Sequence, residues 1–398
     1  MKKGYWTIRY TFINILYFVA FCTVHAYATV FMLDRGFTNT LVGVALAVSN
    51  ILAVVGQPFV AGIIDKSEKI TNRRVLMGAI LIILTGSLLL MVAGHNIPLV
   101  LILYVIIYTV QFISMSIMIA MSFEYQSEGC THNFGLARGL GSAGFAVTSA
   151  ITGGIMARRG PGINLYITAT VMVLMFIAVY TFRKHDVGTV IMEEKAECTS
   201  DDEEPANNLI DFIRRYPAFM TFLLGAALCF FSHNMLNDYL IQIIRNLGGG
   251  ETELGYASFL QAILELPVMA VMAGILRKIS VKVVLIFSSV AFVLKVVIMY
   301  LATGLGGMYI SQSFQLFAYA VFIPATAYYS DKIMKEKDKV KGQAYVNCAI
   351  TLGGVFSSLI CGRILDKSGV SVMLALGIAV AVAGALIAAG AMIKEKNI

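Results

Sequence analysis

Apolar runs of about twenty residues recur along this chain, and they constrain it more than any other feature. A run of that length, as a helix, spans the roughly 30 Å hydrocarbon layer of a bilayer. Twelve such runs can be placed, at 10–33, 40–64, 75–94, 98–123, 138–157, 163–182, 218–243, 253–276, 281–302, 306–330, 342–364 and 370–392. No water competes for backbone groups inside lipid, so each run is expected to be a helix. Composition removes the soluble alternative. The 398 residues are 58% hydrophobic and 13% charged, whereas soluble domains carry about 25% charged residues. The amino-terminal run continues to Leu33 and exceeds the roughly 7–15 apolar residues of a cleaved signal peptide, so it is read as a retained first span.

The charges test the count. With both termini cytoplasmic, 23 basic residues fall on the inner side. Six fall outside (Arg35, Arg158, Arg159, Arg245, Arg363, Lys367), and Lys295 lies within a span. A missed helix would scramble this bias, which follows the positive-inside rule. The net charge of +7 therefore reads as membrane orientation, not nucleic-acid binding. The expected location is the cytoplasmic (inner) membrane, multi-pass.

The longest polar stretch, 185–215, contains the acidic run Glu193–Glu204 and follows the sixth run. It is read as a cytoplasmic linker joining an N-terminal six-helix half (1–184) to a C-terminal six-helix half (216–398). Similar segments end spans two, five, eight and eleven: AGIIDKS, GGIMARRG, AGILRKIS and CGRILDKSG. Their glycines, Gly62, Gly154, Gly274 and Gly362, stand 92, 120 and 88 residues apart. Allowing for the linker, the repeat is three helices long, a pattern of secondary transporters. Small residues at these points would let helices approach closely. The fold class is thus an all-α membrane protein of twelve helices in two pseudo-symmetric halves.

No phosphate-binding GxxxxGK[ST], HExxH or GxSxG motif occurs, which argues against a primary pump and an intramembrane enzyme. The six cysteines are scattered, without CxxC or Cys/His clusters. No metal or cofactor is expected.

Of the ionisable groups within spans, three stand out in the C-terminal half: Asp238, Glu265 and Lys295. Such groups are costly in lipid and default to functional hypotheses. Glu265 sits in AILELPVM and Lys295 in AFVLKVVIM, each without a charged sequence neighbour. Each should need a buried partner, and they are candidates for one another. The choice between a proton-exchanging pair and a fixed structural ion pair is open at this level. Asp238 lies near a span end, where solvent is an alternative environment. Asn234, Asp238 and Gln242 recur at four-residue spacing and so would share a helix face. His25 in span one is read as a hydrogen-bonder within the bundle.

The segment Phe134-Gly-Leu-Ala-Arg138-Gly-Leu-Gly-Ser-Ala-Gly-Phe145 resembles the FG-x-x-R-x-x-GS-x-G-[FW] motif of the lactose-permease-like group of the major facilitator superfamily, which covers oligosaccharide and nucleoside proton symporters. Gln57-Pro58 followed by Asp65-Lys66, and Glu265-Leu-Pro267, are similar to the same group. The resemblance spans the chain at low identity. It implies that Arg138 contacts sugar and that Phe145 takes the ring-stacking aromatic position; without it, Arg138 would read as snorkelling to the cytoplasmic surface and Phe145 as core packing. It implies a partner for Arg138 in span four, a role that Glu124 would fill if not an ordinary loop acid. Glu265 would serve substrate or proton, Lys295 would stand at a coupling arginine's position, and Gln315 would replace a coupling histidine, with no glutamate following. Proton coupling must then use other residues, or be absent. Asp65, Lys66, Asp366 and Lys367 are expected to pair differently in the two access states and so gate them.

The expected activity is secondary transport of a small polar solute, a sugar or glycoside, by alternating access, with a proton as coupling ion and a monomer as working unit. A nucleoside is the near variant. Antiport efflux of a lipophilic drug is the competing reading; Arg138, Glu265, Asp238, Gln242 and Gln315 favour a polar solute.

Overall fold

The computed structural model describes residues 2–67, 69–183 and 209–395, so the acidic run Glu193–Glu204 and most of the expected linker lie outside the described residues. The described chain is helical throughout, apart from short connections. By its contacts it falls into two compact units, Met1–Lys195 with Gly250–Ala262, and Ala196–Gly249 with Ile263–Ile398.

The first unit holds spans one to six. Span one comprises α1 (Lys2–Phe21), a π-helical turn (Cys22–Ala26) and α2 (Ala28–Asp34). Spans two to six are α3 (Asn39–Asp65), α4 (Asn72–Val92), α5 (Ile97–Ser127), α6 (Phe134–Arg159) and α7 (Ile163–Thr181). The starts of four of these are written locally. Thr38, Thr71, Asn96 and Asn133 each cap the following helix, their side-chain oxygens accepting from the N–H of Leu41, Arg74, Leu99 and Leu136.

The second unit begins with α8 (Leu209–Arg215). Span seven is α9 (Pro217–Asp238) plus α10 (Leu240–Asn246), and span nine is α12 (Val281–Leu301). Span ten comprises α13 (Leu305–Ser313), a 3-10 turn (Phe314–Leu316) and α14 (Tyr319–Ile333). Spans eleven and twelve, together α15 (Glu336–Lys394), are two helices that meet at a kink at Gly369. Its φ of 80° suits a residue without Cβ. Span eight, α11 (Glu251–Lys278), starts in the first unit and continues in the second; Pro267 interrupts its hydrogen-bond ladder.

Three expectations need correction. Span ten is not one continuous helix. The shared face of Asn234, Asp238 and Gln242 is interrupted, because Tyr239 (φ −114°, ψ 19°) separates α9 from α10. The repeat glycines Gly62, Gly154 and Gly274 do not mediate close approach: a β-carbon on any of them would meet nothing within 4 Å. Close packing uses other glycines. A β-carbon at Gly225 would stand 2.6 Å from the Ala388 nitrogen and 2.7 Å from the Gly384 oxygen, and at Gly353 2.4 Å from the Ala227 oxygen. Span seven therefore meets both parts of α15 backbone to backbone. In lipid, where water drives nothing together, such van der Waals contact holds helices. A cluster of buried rings, Phe219, Phe222, Phe230, Phe292, Phe322 and Tyr329, fills the rest of this core.

The two broken spans are stabilised from outside themselves. In the π-helical turn, the Asn164 side chain donates to the Thr23 carbonyl at 3.2 Å, and the Tyr104 hydroxyl to the Val24 carbonyl at 2.6 Å. At the span-ten break, the Ser288 hydroxyl donates to the Ala318 carbonyl at 2.7 Å. Irregular backbone survives in a membrane only where such partners exist.

Candidate functional site

In the second unit, Lys295 of α12 is fully buried. Its ammonium donates to Gln315 Oε1 at 2.7 Å, and Gln315 Nε2 donates to Glu265 Oε1 at 2.8 Å. Three spans thus meet through one amide. This amide orientation is the one that sets each donor against an acceptor. Glu265 and Lys295 are joined as anticipated, but with a glutamine inserted between them. Both bonds of the amide have the short lengths of charge-assisted contacts. The 3-10 turn carries Gln315, and the Ser311 hydroxyl accompanies it by donating to the Lys295 carbonyl at 2.6 Å. An amide neither gains nor loses a proton near neutrality, so this link balances charge without conducting protons. The charged groups at its two ends are the Lys295 ammonium and the Glu265 carboxylate.

Beside this chain, the His233 ring stacks on Tyr319 with centroids 5.2 Å apart and planes 16° apart. Asn237 Nδ2 lies 3.0 Å from His233 Nε2, within hydrogen-bond distance. Asn237 was not singled out, although its i, i+4 spacing from His233 was a readable signal. Asp238 is half-buried and accepts from the Ser358 hydroxyl at 2.7 Å, while Asn234 packs against Gly354. Ser358 belongs to α15, and nothing local to either helix marks that pairing.

The first unit carries a second cluster, built on rings. The Arg138 guanidinium carbon lies 4.3 Å from the centroid of Phe18. Gly141 makes room for this, since a β-carbon there would stand 2.6 Å from the Phe18 ring. Phe145 sits 6.3 Å from Phe21 between centroids. Phe21 in turn stacks on His25 at 4.1 Å and 13°. Tyr108 and Phe112 approach the same imidazole at 3.8 and 4.9 Å. Arg138 and Phe145 thus border one aromatic cluster, joined through the Phe18–Phe21 ring contact, whose members Phe21, Tyr108 and Phe112 sequence reasoning missed. Aromatics in apolar spans carry no distinguishing signal. His25 is not the hydrogen-bonder expected: both ring nitrogens are buried and have no hydrogen-bond partner among the described residues.

The Glu124 carboxylate accepts from Asn72 Nδ2 at 2.8 Å at the end of α5. Asp65 and Lys66 are exposed at the end of α3, and Asp366 and Lys367 are exposed one turn before Gly369.

A buried cation on span nine linked to a half-buried carboxylate on span eight, broken helices with side-chain-capped carbonyls, and a polar chain inside an otherwise apolar bundle define a polytopic transport protein. The chain belongs to the MFS_1 like family, which it matches over residues 6–375. In fold it is similar to the crystal structure of the nucleoside transporter NupG, at TM-score 0.76 and 15% identity, covering 98% of this chain and 100% of that one. The crystal structure of a mutant of NupG aligns at TM-score 0.78 and 13% identity, over 98% and 99%. A bacterial homolog of the human lysosomal transporter Spinster, inward-facing and unoccupied, aligns at 0.63 and 13%, over 98% and 93%. No curated protein matches by sequence.

Proposed function

We propose that this protein is a secondary transporter that carries a small polar solute, a sugar or glycoside, across the cytoplasmic membrane by alternating access with a proton. The observation that carries the reading is the Lys295–Gln315–Glu265 chain, at 2.7 and 2.8 Å. A solute hydroxyl that takes the place of the Gln315 amide at Glu265 forms an equivalent hydrogen bond. The carboxylate then accepts or releases a proton as that bond is exchanged, while Lys295 keeps the neighbourhood from carrying net negative charge. The gap left by the missing histidine and glutamate of span ten is filled, in this reading, by Glu265 with Lys295, and by Asp238.

Arg138 and Phe145 supply the complementary functions: a guanidinium fork for vicinal hydroxyls and a ring face for stacking. Asn234 adds a polar group to the solute's surroundings, and Asp238 a second carboxylate for proton exchange. Glu124, which accepts from Asn72, adds a carboxylate to the substrate-binding set as a partner for Arg138. Asp65, Lys66, Asp366 and Lys367 gate the access states. Two six-helix halves, 1–184 and 216–398, move against each other in a monomer with both termini cytoplasmic.

A nucleoside is the second reading. The near-parallel Phe21–His25 stack, 4.1 Å apart, is the kind of surface on which a base or a sugar face would lie, and NupG, similar in fold, is a nucleoside transporter.

External pH in lightly buffered, de-energised cells, recorded while sugars, glycosides and nucleosides are added, tests both. Alkalinisation with one compound, lost in Arg138→Ala and Glu265→Gln, is the expected result and names the solute class. Entry of labelled solute without a pH change would sink proton coupling. No entry of any panel member would sink the polar-solute reading in favour of lipophilic efflux.

A further inference from the structure

Half of the six basic residues expected on the face opposite the termini come from two short stretches: Arg35, Arg158 and Arg159. Arginines there run against the positive-inside bias of the chain. Arg35 and Arg159 line one cavity of about 320 Å³ in the first unit, together with Met91, Gly162, Ile163 and Tyr166.

The Arg35 guanidinium is fixed in place. Nη1 donates to the Gly94 carbonyl at 3.1 Å, and the guanidinium carbon lies 5.1 Å from the Phe31 ring centroid. Its Nε is buried and has no hydrogen-bond partner among the described residues. A buried, charged donor left unmatched is unfavourable. On the same wall, helix α7 begins at Ile163 with Gly162 as its cap, and no acidic side chain occupies its first turn. A β-carbon at Gly162 would lie 3.8 Å from Arg35 Nη2, an ordinary contact distance that sets the guanidinium beside this helix start. The cavity therefore gathers two guanidinium groups and the positive end of a helix, with no carboxylate in its lining among the described residues. Met91, Ile163 and Tyr166 form its apolar side.

We propose that this cavity binds the phosphate group of an anion, either the phosphodiester headgroup of an anionic phospholipid or free phosphate. The guanidinium fork matches phosphate oxygens, and a helix start adds further N–H dipoles. The volume exceeds a bare phosphate and leaves room for a glycerol headgroup. The site is separate from the ring cluster around Arg138 and does not depend on which solute is carried.

The test uses the purified full chain. Its Tm is followed in detergent against inorganic phosphate, with chloride at matched ionic strength as control. Lipid retention is followed by native mass spectrometry after reconstitution in phosphatidylglycerol or in phosphatidylcholine. Phosphate or phosphatidylglycerol should raise Tm by about 3 °C or more, as expected of a ligand that binds only the folded state. Arg159→Gln, an exposed position, should leave the unliganded Tm unchanged and weaken binding about tenfold or more. Arg35→Lys keeps the charge, loses the fork, and should weaken binding as well. Response to both ligands identifies a soluble-anion site, and response to the lipid alone identifies a headgroup site. Stabilisation no greater than chloride and phosphatidylcholine give, or unchanged binding in Arg159→Gln, would overturn the proposal.

Discussion

The Lys295 ammonium and the Glu265 carboxylate are joined through one side chain, Gln315, which accepts from the first at 2.7 Å and donates to the second at 2.8 Å. Gln315→Leu removes both bonds and leaves a fully buried cation without its acceptor. Breaking a buried charge network in this way costs about 3–5 kcal/mol. Thermal unfolding in detergent should show the loss, and Gln315→Glu, which offers Lys295 a carboxylate directly, should retain most of the stability. A Gln315→Leu protein as stable as the parent would count against the network.

The same network predicts non-additivity. Glu265→Gln and Lys295→Met each leave a buried group poorly matched, whereas the double variant removes the charge from both ends. The double variant should be more stable than the sum of the single effects by about 1–3 kcal/mol. A double-mutant cycle on denaturation midpoints measures this, and strict additivity would mean that the two ends do not communicate.

Two adjacent glycines should respond in opposite ways. A β-carbon at Gly153 would lie 2.4 Å from the Glu251 carbonyl and 3.0 Å from the Gly255 α-carbon, whereas at Gly154 it meets nothing within 4 Å. Gly153→Ala should destabilise by about 1–3 kcal/mol through overpacking. Gly154→Ala should be neutral or stabilise by up to about 1 kcal/mol, because alanine is the better helix former. Unfolding curves of the two variants decide it.

His25→Phe should leave stability unchanged or slightly higher. The imidazole nitrogens donate to and accept from nothing among the described residues, so no hydrogen bond is lost, and a third ring continues the stack with Phe21 and Tyr108. A clear fall in Tm would reveal a polar partner for the imidazole.

Acid should weaken the connection between α5 and α6. Burial lowers the His132 pKa from its ordinary value of 6.5, opposed by the Cys130 carbonyl. The imidazole is held by Ser122 Oγ at 2.6 Å from Nε2 and the Cys130 oxygen at 3.0 Å from Nδ1. A base whose folded pKa lies below its unfolded one is stabilising when neutral. The contribution is therefore complete above pH 6.5 and is lost as pH falls below it. Tm measured from about pH 7.5 to about pH 5 should fall more steeply for the parent than for His132→Gln. Parallel curves would remove His132 as the cause.

Apolar length and the interposed charges were legible because each is a property of a short stretch of chain facing lipid or its own helix. The ionisable residues in spans were legible for the same reason, since their cost is set by the bilayer. Their partners were not. Asp238 finds Ser358, 120 residues away, and Glu265 finds Gln315, 50 residues away. Neither pairing follows from spacing along one helix, because both depend on how neighbouring helices are rotated.

By itself, the sequence determined the class of protein, the helical spans and the family motif around Arg138, because the span length required by a bilayer and the expense of charge within it are imposed by the solvent. Only the tertiary structure decided where helices break. The π-helical turn Cys22–Ala26 and the 3-10 turn Phe314–Leu316 contain neither proline nor glycine. They persist because Tyr104, Asn164 and Ser288, at 80, 141 and 30 residues from the carbonyls they serve, supply the hydrogen bonds that the helix gives up. Gln315 reaches both Lys295 and Glu265 from within such a break, and that geometry exists only once distant helices have packed around it.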